Sequence, residues 1–437
     1  MQNVVNHLSV CDILESIEGD EFMNIEKTWG LLNDIYFVRM GGTEEELKAA
    51  RIIQDYLKEL GLESCIEDFE VEMDQVERAE LKVTKPYEKT YECTGFKGSM
   101  NTPEEGITKK LVYFEQDNPV IGKMAKDAIL LVNGYVTLRS FPKIAKHQPA
   151  GFITYNGNID TAREDVDLGE REFRSELKKY GEMPGVNIKI HDAMEMLEKG
   201  ASEVTLTMKG TLGKGISRNV ICDIPGKSDE VIVCTAHYDS SSFSKGAYDN
   251  GTGAVCLYGL AQYFVKHQPE RTIRLVWCGS EERGLLGSHA YINDHPEELE
   301  KIVLNVNIDM IGSTMGKRIA VCTSEMGLVN YIDYDAKMKG FPIEVSQGVY
   351  SSDSTPFADK NIPAVSFARI TPNGGGEIHS RHDVIEHLSK RYLDEDIRYI
   401  AEFTNQMANA FVVPVKKEMP ENMRKELDNY LGKEEKK

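Results

Sequence analysis

Apolar residues fall at helical spacing early in the chain. Residues 13–60 read as helical, with Leu47, Ala50, Ile53, Leu57 and Leu60 on one face and Gly61 closing the run. Residues 65–75 switch to an extended pattern. From about 80 to 207 short β-rich pieces dominate, among them Leu81-Lys82-Val83, Ala128-Ile129-Leu130-Leu131-Val132 and Ala150-Gly151-Phe152-Ile153-Thr154-Tyr155. Asp117, Asn118, Pro119 and Gly122 mark a loop between such pieces, and Asn156-Gly157-Asn158 marks a turn. From Asn219 onward the period alternates. Val231-Ile232-Val233-Cys234-Thr235 reads as a buried strand, Ala254–Val265 as a helix and Thr272–Cys278 as a strand. A helix near 287–293, strands at 302–308 and 319–322, a helix near 328–338, a strand at 364–367 and a long helix near 392–411 follow. Strands alternating with helices predict an α/β fold with a mostly parallel central sheet flanked by helices. The β-rich stretch interrupts it. The expected organisation is one discontinuous domain, 1–79 with 208–437, and a β-rich α/β insert at 80–207.

The length of 437 residues suits two domains, at about 100–200 residues each. Hydrophobic residues make up 41% and charged residues 28%, a globular mix with ample material for a core. A formal net charge of −20 argues against a nucleic-acid partner, since phosphate contacts need a basic face. No apolar stretch approaches the roughly 20 residues that span a bilayer, and no basic segment leads into an apolar one at the N-terminus. No membrane association is expected. None of the eight cysteines forms a Cys-x-x-Cys pair, and Cys234, Cys256 and Cys278 sit inside apolar runs as small buried hydrophobes. With no leader, a reducing cytoplasm is the expected location. Residues 418–437 read as a charged, solvated amphipathic tail.

Ligands of open α/β sheets bind beyond the carboxyl ends of the strands. Just past successive strands stand His237-Tyr238-Asp239, Glu281-Glu282, Asp309 and, after a Gly-rich loop, His379-Ser380-Arg381-His382-Asp383. Asp249 precedes the helix at Gly251-Thr252-Gly253. Each alone is weak: a histidine near a strand end is commonly a surface residue, and adjacent glutamates are commonly a solvated face. Together they place five donor-bearing segments on one sheet edge. Imidazole and carboxylate donors without thiolate suit Zn²⁺, with Mn²⁺ or Co²⁺ as alternatives. So many carboxylates in one place would raise each other's pKa unless cations neutralised them, and a pair of divalent ions does so.

His237-x-Asp239, Asp249-Asn250-Gly251-x-Gly253, Glu281-Glu282-x-Gly284, Asn307-x-Asp309-Met310-x-Gly312 and His379-Ser380-x-x-Asp383 together resemble the M28 family of zinc peptidases, in order and approximate spacing. Asn219-Val220-Ile221 leading through Pro225-Gly226, and Arg39-x-x-Gly42-Thr43 ahead of its amphipathic helix, fit the same family. The insert resembles a protease-associated (PA) domain, especially at 127–132 and 150–156. The resemblance implies a zinc exopeptidase fold with two Zn²⁺ per chain, His237 and Asp309 on one ion, Glu282 and His379 on the other, and Asp249 bridging. It implies Glu281 as general base and Asp239 as hydrogen-bond partner of the far nitrogen of His237. Asp383 would orient His379 or its loop. His382 falls outside the pattern and reads as a surface residue. Tyr350 is a candidate to stabilise the oxyanion, with packing as its alternative.

One departure stands out. Ser351 occupies a position where many aminopeptidases of this kind carry Arg before Ser-Asp, which leaves recognition of the substrate's free amine open. The implied activity is an aminopeptidase acting on peptides. A carboxypeptidase or dipeptidase of the same family is the nearest alternative, and a receptor-like binding protein without metal is the distant one. Oligomeric state is not set by the sequence.

Overall fold

The computed structural model describes residues 23–169 and 171–433. Cys11, the expected helical residues 13–22 and the last four residues of the tail lie outside the described residues. The chain divides into two compact units, one built from the N-terminal part through Phe69 together with Ile216 onward, the other from Glu70–Gly215.

The larger unit holds an eight-stranded sheet among the described residues. Its strands are β1 (Ser64–Glu72), β2 (Lys214–Ile224), β3 (Ser228–His237), β4 (Arg271–Cys278), β5 (Ile302–Ile308), β6 (Lys317–Thr323), β7 (Glu344–Gln347) and β8 (Ala364–Ile370), in spatial order β1-β2-β4-β3-β5-β8-β6-β7. The four central strands β4, β3, β5 and β8 run parallel, while β2 and β6 join them antiparallel. Helices are α1 (Ile25–Asp34), α2 (Glu44–Glu59), α3 (Thr252–Lys266), α4 (Leu286–Asp294), α5 (Met326–Lys339), α6 (Ser354–Asp359), α7 (Lys390–Asn409) and α8 (Glu421–Tyr430).

β3 shows why the sheet is central. Ile232, Cys234 and Ala236 pack into one apolar cluster with Leu257 of α3 and Ile397 of α7. Val233, between them, faces a second cluster with Tyr291 and Ile292 of α4 and Phe357 of α6. A strand covered on both faces needs the continuous apolar run this one has. Trp277 on β4 is fully buried, and its indole N–H donates to the Ala254 carbonyl at 2.8 Å, tying sheet to helix.

The expected helix over 13–60 is broken within its described part. α1 ends at Asp34 and α2 starts at Glu44, capped by Thr43, whose hydroxyl accepts from the Glu46 amide. Gly42 between them adopts a left-handed φ of 83°, which a glycine takes without steric cost. The Ala50, Ile53 and Leu57 face is buried as the spacing requires.

The second unit carries a nine-stranded sheet among its described residues, with strands 107–114, 129–132, 151–156 and 185–189 in consecutive parallel pairing. Apolar clusters around Leu131 and Leu130 cover opposite faces. Its limits are 70–215 where the sequence suggested 80–207. The difference has a physical cause: Gln75–Lys85 pairs antiparallel with Glu203–Thr211 along its whole length, so both strands belong to this sheet, although their alternating pattern is continuous with the flanking strands. Seven free cysteines are present among the described residues, and Cys234, Cys256 and Cys278 are fully buried. Among the described residues no helix is long and apolar enough to cross a membrane.

Candidate metal centre

The carboxyl ends of the parallel strands deliver the candidate donors. β3 ends on His237, β4 leads into Glu281 and Glu282, β5 leads into Asp309, and the loop after β8 supplies His379. Asp249 comes from a distorted turn at Ala247–Gly251, immediately before α3. Two groups of possible ligand atoms result: His237 with Glu281 and Asp309, and Asp249 with Glu282 and His379, each within 4.8 Å of one another.

Asp249 touches both. Its Oδ1 lies 3.2 Å from His237 Nε2, and its Oδ2 lies 3.1 Å from His379 Nε2. His237 Nε2 also stands 3.6 Å from Asp309 and 3.8 Å from Glu281, and His379 Nε2 is 2.9 Å from Glu282. The structure thus brings together all five proposed ligands and the proposed base. The His382 amide donates to Ser380 Oγ.

Charge in this cluster is unbalanced. Burial would lower the His237 pKa, but Glu281, Asp239, Asp249 and Asp309 hold it well above the usual imidazole range. His379 is likewise pushed up to about 11, against the opposing effect of burial, by Asp249 and Glu282. Burial and neighbouring carboxylates push Glu281 well up and Glu282 to about 7. The oxygens Glu282 Oε1 and Asp309 Oδ1 are buried without hydrogen-bond partners. Native proteins rarely leave such acceptors orphaned. Oxygen and imidazole donors with free lone pairs, crowded and acidic, fit a pair of divalent cations.

The supporting residues differ in part from expectation. Asp239 Oδ1 lies 3.5 Å from His237 Nδ1, too far for a closed hydrogen bond. Its carboxylate instead accepts from the Glu281 amide at 3.0 Å and the Glu282 amide at 3.3 Å, so it pins the turn bearing both glutamates. Asp383 does not orient His379 through any hydrogen bond to it. It accepts from the amides of Tyr248 at 2.7 Å and Asp249 at 3.0 Å, holding the turn that presents Asp249. Ser351 bonds the Tyr430 hydroxyl of α8 at 2.6 Å. The Tyr350 phenol has its pKa raised by burial and then by Asp309, Tyr248, Asp249 and Glu281.

Other positions were silent in the sequence. Asn250 accepts from the Gly253 and Met310 amides and donates to the Ile308 carbonyl, locking the Asp249 turn to the Asp309 strand end. Asn219 bridges Gly279 and Gly287 on either side of the glutamate turn. Asp353 is fully buried, accepts from Ser288 at 2.6 Å, and is pushed up to about 6 by burial. The motif residues Asn219 and Asn250 were visible as letters; their bonds to backbone far along the chain were not.

Arg39 is wholly buried. Its guanidinium donates to the carbonyls of Tyr238, Ile35, Phe37, Lys245 and Gly246, clamping the His237–Asp239 segment to the start of the Asp249 turn. Burial pulls its pKa down to about 10, so it stays charged near neutrality. Arg39→Met removes every donor and leaves buried carbonyls unsatisfied, at about 1–3 kcal/mol for each group that water does not reach. The expected result is a clearly lowered melting temperature, read by circular dichroism. An unchanged melting curve would mean that the clamp contributes nothing net.

A parallel α/β sheet carries this paired donor cluster at its carboxyl edge, a donor set able to hold metal ions. Residues 219–404 match the sequence profile of peptidase family M28. Over 380 residues it is 28% identical to Aminopeptidase YwaD of Bacillus subtilis (strain 168), covering 82% of this chain and 78% of that protein. It superposes on the crystal structure of BSAP, a zinc aminopeptidase from Bacillus subtilis, with a TM-score of 0.70 and 25% identity over 92% of this chain and 100% of that one. A peptidase M28 precursor from Shewanella amazonensis SB2B shares the fold, with a TM-score of 0.73 and 21% identity over 94% and 98% of the two chains.

Proposed function

We propose that this protein is a zinc-dependent aminopeptidase that binds two ions and removes residues from the amino end of peptides. The observation that most supports the two-ion reading is the position of Asp249, one carboxylate shared between His237 and His379. Zinc and amino-end cleavage draw support from the relatives, one an aminopeptidase and another a zinc aminopeptidase. Mn²⁺ or Co²⁺ fits the same oxygen and nitrogen donors.

His237 and Asp309 would hold one ion, Glu282 and His379 the other, and Asp249 both. When bound, the ion pair would polarise the scissile carbonyl and acidify a water. Glu281 then takes the proton from the attacking water and returns it to the leaving amine. Asp239 keeps Glu281 and Glu282 pointing apart by holding both amides. The Tyr350 hydroxyl would donate to the developing oxyanion. The retained donor set supports catalysis over a receptor-like role, and bound metal separates the two.

A panel of free, amino-blocked and carboxyl-blocked dipeptides tests the reading. The expected result is hydrolysis that persists when the carboxyl end is blocked and stops when the amino end is blocked. The opposite pattern would make the protein a carboxypeptidase, and hydrolysis of only the doubly free dipeptide would make it a dipeptidase. We further assign the insert to the PA type, supported by its own mixed sheet, and the protein to the cytoplasm, supported by its free, mostly buried thiols.

A further inference from the structure

The turn carrying Glu281 and Glu282 is anchored in front by Asp239. It is also anchored from behind. Ser280 adopts a left-handed φ of 52° with its side chain fully buried. That conformation is costly for a residue with a Cβ and persists only where surroundings enforce it. Ser280 Oγ donates to Ser217 Oγ at 2.8 Å, and Ser217 Oγ donates to Glu46 Oε1 at 2.5 Å. Glu46 projects from α2 with no exposed surface.

Glu46 has an ordinary role as well. It stands at the third position of α2 after the Thr43 cap, and its Oε2 accepts from the Gly42 amide at 3.0 Å, much as in a capping box. Capping explains one oxygen on a helix end, where water normally completes the shell. It does not explain full burial, nor the second oxygen committed to Ser217. Packing closes the remaining space. A Cβ on Gly41 would lie 2.0 Å from Ser280 Oγ and 2.7 Å from Ser280 Cα, and one on Gly279 would lie 2.5 Å from Glu46 Oε1. The backbone on both sides is thus fitted to this hydrogen-bonded line.

We propose that Glu46 is a positioning residue for the Glu281–Glu282 turn, acting through Ser217 and Ser280. The proposal rests on the reading of Glu281 as base and Glu282 as ligand. Glu46 and Ser217 both lie outside the 219–404 segment that matches the family, so the matched segment depends on chain that precedes it for the set of its catalytic turn. Outer partners that orient metal ligands and bases change affinity or rate without touching the ion.

The test uses the full chain with zinc and three substitutions: Ser217→Ala, Glu46→Ala and Glu46→Gln. Zinc affinity is read by competition with a chromophoric chelator, and kcat and KM are read separately on an aminoacyl p-nitroanilide. Ser217→Ala and Glu46→Ala are expected to lower kcat and weaken the Glu282-side zinc by about 10–100-fold, with KM little changed. Glu46→Gln keeps the size and one acceptor for the Gly42 amide, and its NH2 can donate to Ser217 Oγ if that hydroxyl turns toward Ser280, so it should recover most of both. Should Glu46→Ala not fold, Ser217→Ala, which removes a single oxygen, decides alone. Wild-type kcat and zinc affinity in Ser217→Ala, even with a lower melting temperature, would reduce Glu46 to a helix cap and overturn the proposal. If the wild-type protein cleaves no peptide, the aminopeptidase reading fails, and the zinc affinities still decide the positioning role.

Discussion

Glu281→Gln is expected to lower kcat by about 10²–10⁴-fold while both metals stay bound, the usual weight of general acid–base catalysis. The substitution leaves the turn intact, because Asp239 holds it through the backbone amide of residue 281. It also leaves Asp249, Glu282, Asp309 and both histidines untouched. Only the ability to accept a proton disappears. Glu282→Gln should behave differently. Glu282 Oε2 is 2.9 Å from His379 Nε2, and its Oε1 is buried without a hydrogen-bond partner. Replacing one oxygen by an amide nitrogen removes a ligand charge and puts a donor where a cation would sit. Metal content measured beside kcat separates the two cases. Loss of metal from Glu281→Gln with full retention in Glu282→Gln would show that the adjacent glutamates have exchanged roles.

The sequence carried the sheet and the edge residues because both have local signatures. A strand buried on both faces reads as an unbroken apolar run, as in Val231–Thr235, and the donors stand within a few residues of where such runs stop. The helix break at 35–43 was hidden, since Ile35 and Phe37 continue an apolar pattern and the turn is fixed by Arg39 reaching carbonyls about 200 residues away. The amide partners of Asp239 and Asp383 were hidden in a similar way. Asp239 was expected to serve the far nitrogen of His237, and Asp383 to orient His379 or its loop; both also accept from backbone amides of other segments. Amide partners leave no mark on sequence, because every residue type except proline offers the same donor. β7 and α6 were not anticipated either; each is very short, and periodicity needs length to register.

Stripping the metal should abolish hydrolysis and lower the melting temperature, with zinc restoring both. Without cations the edge holds Asp249, Glu281, Glu282 and Asp309 together in a largely buried space, and burial with mutual repulsion raises the pKa of Glu281 and Glu282. An ion that binds only the folded form stabilises it by about 2.7 kcal/mol when free metal is 100 times Kd, and about 4.1 kcal/mol at 1,000 times. At a few degrees per kcal/mol in a domain of this size, a shift of about 5–10 °C for each site is expected in scanning calorimetry. The binding should also depend on pH. In the cation-free protein His379 is pushed up to about 11 and His237 lies well above its usual range, so both imidazoles carry a second proton near pH 7. An entering ion needs the neutral ring and must displace that proton. Affinity therefore rises with pH while these groups still titrate and falls as pH drops, and protons are released on binding. Titration calorimetry in buffers of different ionisation enthalpy measures that release. Peptide hydrolysis that survives exhaustive chelation, or zinc addition with neither proton release nor a change in melting, would remove the metal from the mechanism and leave the acidic edge without its counter-charge.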